Sequence, residues 1–121
     1  MDVMDLLLNA SPSKLPEKDY EIKRLTKELG SKVVFTLRAL GYSRVLEIRR
    51  ADDAEQNLKI VLAGTVLPDW KNQQLLDKHG APTPAELVKL LLLPGEIDEL
   101  AIRIEKLSGY RTDVTAEVKK N

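Results

Sequence analysis

The sequence predicts an α+β fold in which an N-terminal antiparallel β-pair is followed by a small bundle of four to five short helices. Residues 32–38 alternate between the two faces of an extended chain and include β-branched and aromatic side chains, which favours a strand. Residues 96–108 instead place apolar side chains at helical spacing. Leucine is frequent and aromatic residues make up only 4% of the chain, which favours a helical core over a β-sandwich.

Shifts in composition divide the chain into three parts. Residues 1–18 combine an apolar N-terminal segment, predicted as a short helix or an apolar anchor, with a linker rich in proline and serine. Residues 19–109 predict a single α+β domain. Residues 110–121 are polar and without periodicity, which predicts a mobile tail.

Two strands are predicted at the start of the domain. Residues 20–25 alternate in part between apolar and polar side chains, and residues 32–38 alternate throughout, with Phe35 on the core face. Gly30 favours a turn between the two segments. We therefore expect an antiparallel pair with an irregular connection.

Helical patterns begin after the second strand. Ser43 is the predicted N-cap of a helix that ends near Ala51. Residues 54–66 fit either a helix or a buried strand, and the length of the segment and the helix formers at its start favour a helix. This helix must end before Pro68, because proline disfavours helical backbone in the residue that precedes it.

Two further helices are bounded by glycine. Residues 72–79 predict a short helix that ends at Gly80, and residues 96–108 predict an amphipathic helix that ends at Gly109. The second carries one apolar stripe, formed by Ile97, Leu100, Ala101, Ile104 and Leu107.

A leucine-rich helix lies between these two. Thr83 and Glu86 form a predicted capping box, and Pro84 occupies the first helical position, where a missing N–H is tolerated. The helix is expected to run to about Leu93, so the four consecutive leucines at its end would cover about 300° of its circumference. Such a helix is either buried by its neighbours on all sides or partly covered by another chain.

The residues that carry enzyme chemistry are scarce. The chain has no cysteine, which excludes disulfides, a thiol nucleophile and cysteine-based zinc sites. His79 is the single histidine, and its place at a helix C-terminus is explained by the helix dipole. The acidic group of Asp52, Asp53 and Glu55 lacks the spacing of a calcium loop, and Glu96 complements the dipole at a helix start. We predict no catalytic residue, no metal site and no cofactor.

Charge and hydropathy argue against nucleic-acid binding and against insertion into a membrane. Nineteen basic and nineteen acidic residues give zero net charge, which argues against nucleic-acid binding through Arg38, Arg44, Arg49 and Arg50. The longest apolar run is far shorter than the ~20 residues that span a bilayer, and the N-terminus is acidic. We therefore expect no nucleic acid and no membrane as partners, and a cytoplasmic location.

Six short motifs follow one another between Phe35 and Gly109. They are FTLRAL from Phe35, GTV with PD from Gly64, LL with a following glycine from Leu75, TPAELV from Thr83, LLPGEI from Leu92, and LSG from Leu107. In order and spacing the set resembles the XkdN-like family of phage tail assembly chaperones. The block from Thr83 to Ile97 is the most specific part of the resemblance.

The resemblance implies a small non-enzymatic protein of a long-tailed phage or prophage, acting in the cytoplasm of the bacterial host. Such a chaperone binds the tape measure protein, keeps it soluble and helps tail tube subunits assemble around it, so the tail tube protein is a second candidate partner. The alternative is a structural tail-completion or adaptor protein that stays in the virion.

The apolar N-terminal segment and the leucine run are the predicted partner-binding surface, because an apolar groove or helix can cover the apolar face of a client helix. A homo-oligomer formed through the same surface is a further expectation, since a chaperone without its client must cover that surface. The predicted contact residues are Met4, Leu6, Leu7 and Leu8 in the first segment, and Leu90, Leu91, Leu92 and Leu93 in the second.

Overall fold

A computed structural model describes residues 1–51 and 53–119 and confirms the predicted α+β class. Over these residues the chain forms a small antiparallel sheet of three strands together with seven helices. Five of the helices follow the first two strands, as the sequence predicts.

The N-terminal part contains the expected short helix, α1 (Val3–Leu8), and the strand β1 (Glu17–Glu21). The predicted position of the first strand is wrong by several residues, since β1 begins inside the predicted linker. The predicted turn is also wrong, because the connection to the second strand contains the helix α2 (Lys23–Leu29). Gly30 ends this helix with a left-handed backbone (φ 75°), so a glycine read as a turn residue is a helix terminator.

The strand β2 (Val34–Arg38) is the centre of the sheet, whose order is β1-β2-β3. It pairs antiparallel with β1 in a register that places Glu17 opposite Arg38. Its alternation is confirmed, because Phe35 and Leu37 are buried and the side chains between and beside them are more exposed.

The helix α3 (Tyr42–Ala51) begins two residues earlier than an N-cap at Ser43 predicts. Val45 N–H donates to the carbonyl of Gly41 at 3.1 Å, which makes Ser43 a residue of the first turn and not the N-cap. The ambiguous segment that follows is both kinds of structure in succession. It forms the helix α4 (Gln56–Gly64), as favoured, and then the short strand β3 (Thr65–Leu67), which the sequence analysis did not predict.

Three helices complete the domain: α5 (Gln73–His79), α6 (Pro84–Leu91) and α7 (Pro94–Leu107). Thr83 caps α6 as predicted, since its Oγ1 accepts from the N–H of Glu86 at 3.1 Å. Within the described residues the predicted return bond to Thr83 N–H is replaced by a contact of 3.4 Å between the Glu86 carboxylate and Lys89 Nζ.

The core lies where α7 packs against α4 and the central strand. The predicted stripe of α7 is confirmed, because its middle residues are buried and its ends half-buried. Phe35 and Trp70 meet edge to face in this core, with their ring centroids 5.5 Å apart. The largest side chains that are fully buried are Leu37, Val61, Leu87, Val88 and Ile104.

The segment after α7 begins in contact with the domain. The guanidinium of Arg49 lies 4.6 Å from the ring centroid of Tyr110, and Arg111 pairs with Glu105 at 3.3 Å. Residues 111–119 form no helix or strand and are exposed.

Candidate functional site

The N-terminal helix presents its apolar side chains to solvent. Asp2 and Asp5 close a capping box, in which Asp5 N–H donates to Asp2 Oδ1 at 3.0 Å, and the Asn9 amide donates to the carbonyl of Asp5 at 3.0 Å. None of the helix residues is buried. The predicted contact residues Met4, Leu6, Leu7 and Leu8 are between 57% and 80% exposed.

The leucine run does not continue as one helix. The helix α6 ends at Leu91, and Leu92 has an extended backbone (φ −115°, ψ 145°). The expectation of a helix buried on all sides is therefore wrong, because Leu92 points inward at 4% exposure while Leu90 and Leu93 are 60% and 51% exposed. Leu91 is half-buried against the core, so Leu90 and Leu93 are the accessible members of the run.

Arg24 holds this corner in place. Its Nη2 donates to the carbonyl of Leu91 and to Glu96 Oε1, both at 2.9 Å, and its Nη1 lies 3.1 Å from Glu28. Glu96 also accepts from the backbone N–H of Leu93 at 2.7 Å, which confirms the prediction that it stabilises the start of α7. One partly buried hydrogen-bond network, centred on Arg24 and Glu96, thus fixes the corner that exposes Leu90 and Leu93.

The same network sets the charge of Glu96. The hydrogen bonds from Arg24 hold the pKa of this carboxyl below its usual value, with a smaller contribution from the Leu93 N–H, whereas partial burial acts in the opposite direction. Glu96 is therefore ionised at neutral pH and paired with Arg24. The sequence offered no indication of this pair, because its members are 72 residues apart.

A shallow apolar groove of about 260 Å³ lies beside the corner, between the start of α4 and the start of α7. Two polar contacts border it: Lys89 Nζ is 2.6 Å from Glu55 Oε2, and Asn57 donates to Asp98 at 2.9 Å. The pairing with Glu55 raises the pKa of Lys89 above its usual value. The apolar residues that line the groove are Ala54, Leu58, Leu92, Pro94 and Ile97.

The two predicted leucine segments are not joined in one packed site. The helix α1 buries none of its residues, whereas the corner belongs to the body of the domain. They form two separate apolar surfaces, joined in the chain by the linker and the first strands.

The described residues considered for catalysis or metal binding lie at the end of α5 and in the loop before α4. His79 is the exposed last residue of α5. Asp53 pairs with Lys59 and also accepts from Glu55 N–H, and these contacts lower the pKa of Asp53. Asp52 lies outside the described residues. Over residues 1–51 and 53–119, no cluster of acidic and histidine side chains is arranged to hold a metal ion.

The arginine stretch is largely engaged within the chain. Arg38 lies 3.6 Å from Glu17, Arg44 lies 3.3 Å from Glu47, and Arg49 stacks on an aromatic ring. A nucleic-acid surface would need these charges free for phosphates. In the part of the chain that the structure describes, every helix is too short or too polar to cross a bilayer.

Comparison with known proteins points to one family. A family model described as phage XkdN-like tail assembly chaperone protein matches residues 4–120. The fold is similar to that in the crystal structure of the protein YqbN, with a TM-score of 0.65 and 21% identity over 90% of this chain and 99% of that chain. A comparison with curated proteins finds no significant match.

Proposed function

Because the chain belongs to the XkdN-like family of phage tail assembly chaperones, we propose that it binds the phage tape measure protein and keeps it soluble while the tail assembles. The observation that carries the proposal is the exposed apolar helix α1. The family is one of assembly chaperones, and the proposed role is non-covalent binding.

The physics of α1 supports a role in binding. Isolated helices shorter than about 12–15 residues are only marginally stable in water. A six-residue helix such as α1 therefore depends on packing against other residues for most of its stability. Its capping box stabilises the helix start, and its leucines would be stabilised by burial against a partner. Met4, Leu7 and Leu8 follow the spacing by which an amphipathic helix places anchors in an apolar groove.

The corner at Leu90 and Leu93 is the second proposed contact. Its backbone is fixed by Arg24, so the two side chains are presented without the entropy cost of ordering a loop. Zero net charge limits indiscriminate electrostatic association, which leaves apolar complementarity as the basis of selection.

The proposed place of action is the cytoplasm of the bacterial host, where tails assemble. The tail tube protein is a further proposed partner. The alternative is a structural component that stays in the virion, and mass spectrometry of purified particles distinguishes the two. We expect the chain to be absent from finished particles.

Co-expression tests the proposed client. The tape measure protein of the same tail gene cluster is produced with the wild-type chain, with Leu7→Asp or with Leu8→Asp, and its soluble fraction is measured after centrifugation. The matched control is Val118→Asp, since Val118 is an exposed apolar residue near the other terminus. We expect the wild type and the control to keep the client soluble and the two leucine variants to fail. A client equally soluble with and without the wild-type chain would refute the proposal.

A further inference from the structure

A second cavity, of about 170 Å³, lies between α3, α4 and the last turn of α7. Among the described residues that line it, none belongs to α1 or to the corner at Leu90 and Leu93. Val45 and Ile60 are only half-buried there, so part of its apolar lining is in contact with solvent. The apolar residues that line this α3–α4 pocket are Leu40, Val45, Ile48, Ile60 and Ile104.

Two arginines also line the α3–α4 pocket. The guanidinium carbon of Arg49 lies 4.6 Å from the ring centroid of Tyr110, which holds this cation at the pocket. Arg111 pairs at 3.3 Å with Glu105, which lines the pocket as well. Two guanidinium groups and one carboxylate leave one positive charge in the lining. An apolar wall with an excess of positive charge fits an apolar segment that carries carboxylates.

The C-terminal segment, residues 112–119, carries the complementary pattern. An acidic residue followed by valine occurs twice, as Asp113-Val114 and Glu117-Val118, four positions apart. In one turn of helix the two valines lie in one row and the two carboxylates in the neighbouring row. Both valines are exposed in the structure, at 67% and 81%. The segment can therefore present valines and carboxylates together to a single site.

The chain turns back at the point where this segment leaves α7. Gly109 and Arg111 both have a left-handed backbone (φ 95° and 60°), which Arg111, unlike glycine, adopts at a steric cost. The turn brings Val114 close to the end of the helix, since its Cγ1 lies 3.8 Å from the position of a β-carbon on Gly109. The segment thus begins at the pocket, whose lining includes Ser108, Tyr110 and Arg111.

The attachment of the segment also favours a weak contact. Val118 follows the lining residue Arg111 by seven positions, which span about 10 Å as a helix and about 23 Å when extended. A group held by so short a tether has an effective concentration in the millimolar range. Complementary contacts that would be too weak between separate molecules are therefore sufficient within this chain.

We propose that the C-terminal segment closes over the α3–α4 pocket, with Val114 and Val118 against its apolar wall and the Glu117 carboxylate on Arg49. The structure describes the open arrangement, in which the segment is exposed. Closure covers apolar surface of the domain within one molecule, so it does not depend on protein concentration. It involves none of the proposed client contacts and is therefore independent of the proposed function.

A spin label tests the closure in the full chain. Because the sequence contains no cysteine, Lys119→Cys provides a single site for a nitroxide, next to the second acid–valine pair. In the closed arrangement the label should broaden the methyl resonances of Val45 and Ile60. Val118→Asp should lower the closed-to-open ratio at least about tenfold, because a carboxylate would be buried against the apolar wall. The matched control is Thr115→Asp, an exposed substitution outside both pairs that should leave the broadening unchanged.

A charge exchange tests the pairing. Arg49→Glu should release the segment, and the addition of Glu117→Arg should restore closure, whereas a structural effect of the first substitution would persist in the double variant. Backbone order parameters of residues 112–119 measure this, at about 0.85 for a closed segment and below about 0.6 for an open one. Wild-type order parameters below about 0.6, broadening that Val118→Asp leaves unchanged, or a double variant that stays open would each overturn the proposal.

Discussion

Gly64 in α4 lies so close to Ile104 in α7 that a β-carbon at position 64 would be 2.7 Å from both Cδ1 and Cγ2 of Ile104. Ile104 is fully buried and branched at its β-carbon, so its side chain cannot move aside without disturbing the core. The absence of a side chain at position 64 therefore permits the close packing of the two central helices.

Gly64→Ala should lower the free energy of unfolding. Overpacking of a core costs about 1–3 kcal/mol, and the better helix propensity of alanine offsets up to about 1 kcal/mol of this. We expect a net loss of roughly 1 kcal/mol. Urea denaturation followed by the fluorescence of the single, buried Trp70 measures it.

Gly95→Ala is the matched control for this prediction. Gly95 lies in the first turn of α7, and a β-carbon there would meet no atom within 4 Å. Its stability should rise by about 0.5–1 kcal/mol. Equal effects of the two substitutions would show that the contact with Ile104 does not limit position 64.

Local sequence patterns were sufficient for most of the helices. The caps at Thr83 and Gly80 act through neighbours three or four residues away, so they are visible in the sequence. The apolar stripe of α7 is visible in the sequence for the same reason, because the face of a helix that packs on the core repeats its apolar residues every three or four positions. The alternation of β2 likewise follows from burial of one face only.

The missing features depend on partners far away in the chain. The strand β3 has only three residues and exists because it pairs with Thr36 and Leu37 of β2. The break in the leucine run after Leu91 depends on Arg24. Its partners at this corner follow 67 and 72 residues later in the chain, so no local sequence pattern predicts these contacts. The sequence therefore indicated which segments are apolar, while long-range contacts decide which leucines remain exposed.

Arg24→Met should destabilise the fold. The substitution keeps an apolar side chain of similar length but removes the guanidinium that donates to the Leu91 carbonyl and to the Glu96 carboxylate, which then keeps only the Leu93 N–H as a donor. Loss of such partners costs about 1–3 kcal/mol. The control is Arg44→Met, whose pair with Glu47 is exposed on both sides. That variant should change stability by no more than about 0.5 kcal/mol. A similar loss in both variants would contradict a special role for Arg24.

The stabilisation by Glu96 should depend on pH in the acid range. Its pKa in the folded chain lies below the ordinary glutamate value of about 4.5 that holds in the unfolded chain, because Arg24 favours the ionised form. The unfolded state therefore binds a proton first, and the contribution is complete above about pH 4.5 and lost as the pH falls through the folded pKa.

Urea denaturation of the wild type and Glu96→Gln across this range measures the effect. The wild-type free energy of unfolding should fall more steeply with acid, so the two curves should approach each other at low pH. Parallel curves would show that Glu96 is not the group responsible.

Leu92→Ala and Leu93→Ala should differ strongly although the residues are adjacent. Leu92 lies in the core, where removal of a leucine side chain costs about 2–5 kcal/mol. Leu93 is half exposed, so its truncation should change stability by about 0.5 kcal/mol or less. Thermal denaturation of both variants gives the comparison, and comparable losses would mean that the leucine run is buried throughout.

Leu93→Ser separates binding from folding. Leu93 is the N-cap residue of α7, and its N–H already donates to the carboxylate of Glu96 three residues later. Serine at this position completes a capping box, which should leave stability unchanged or raise it by up to about 1 kcal/mol. The same substitution removes an apolar side chain from the proposed client surface. We therefore expect this variant to be at least as stable as the wild type in urea and yet to keep less tape measure protein soluble in co-expression. Undiminished solubility with this variant would remove Leu93 from the proposed contact, because loss of the fold could not account for the result.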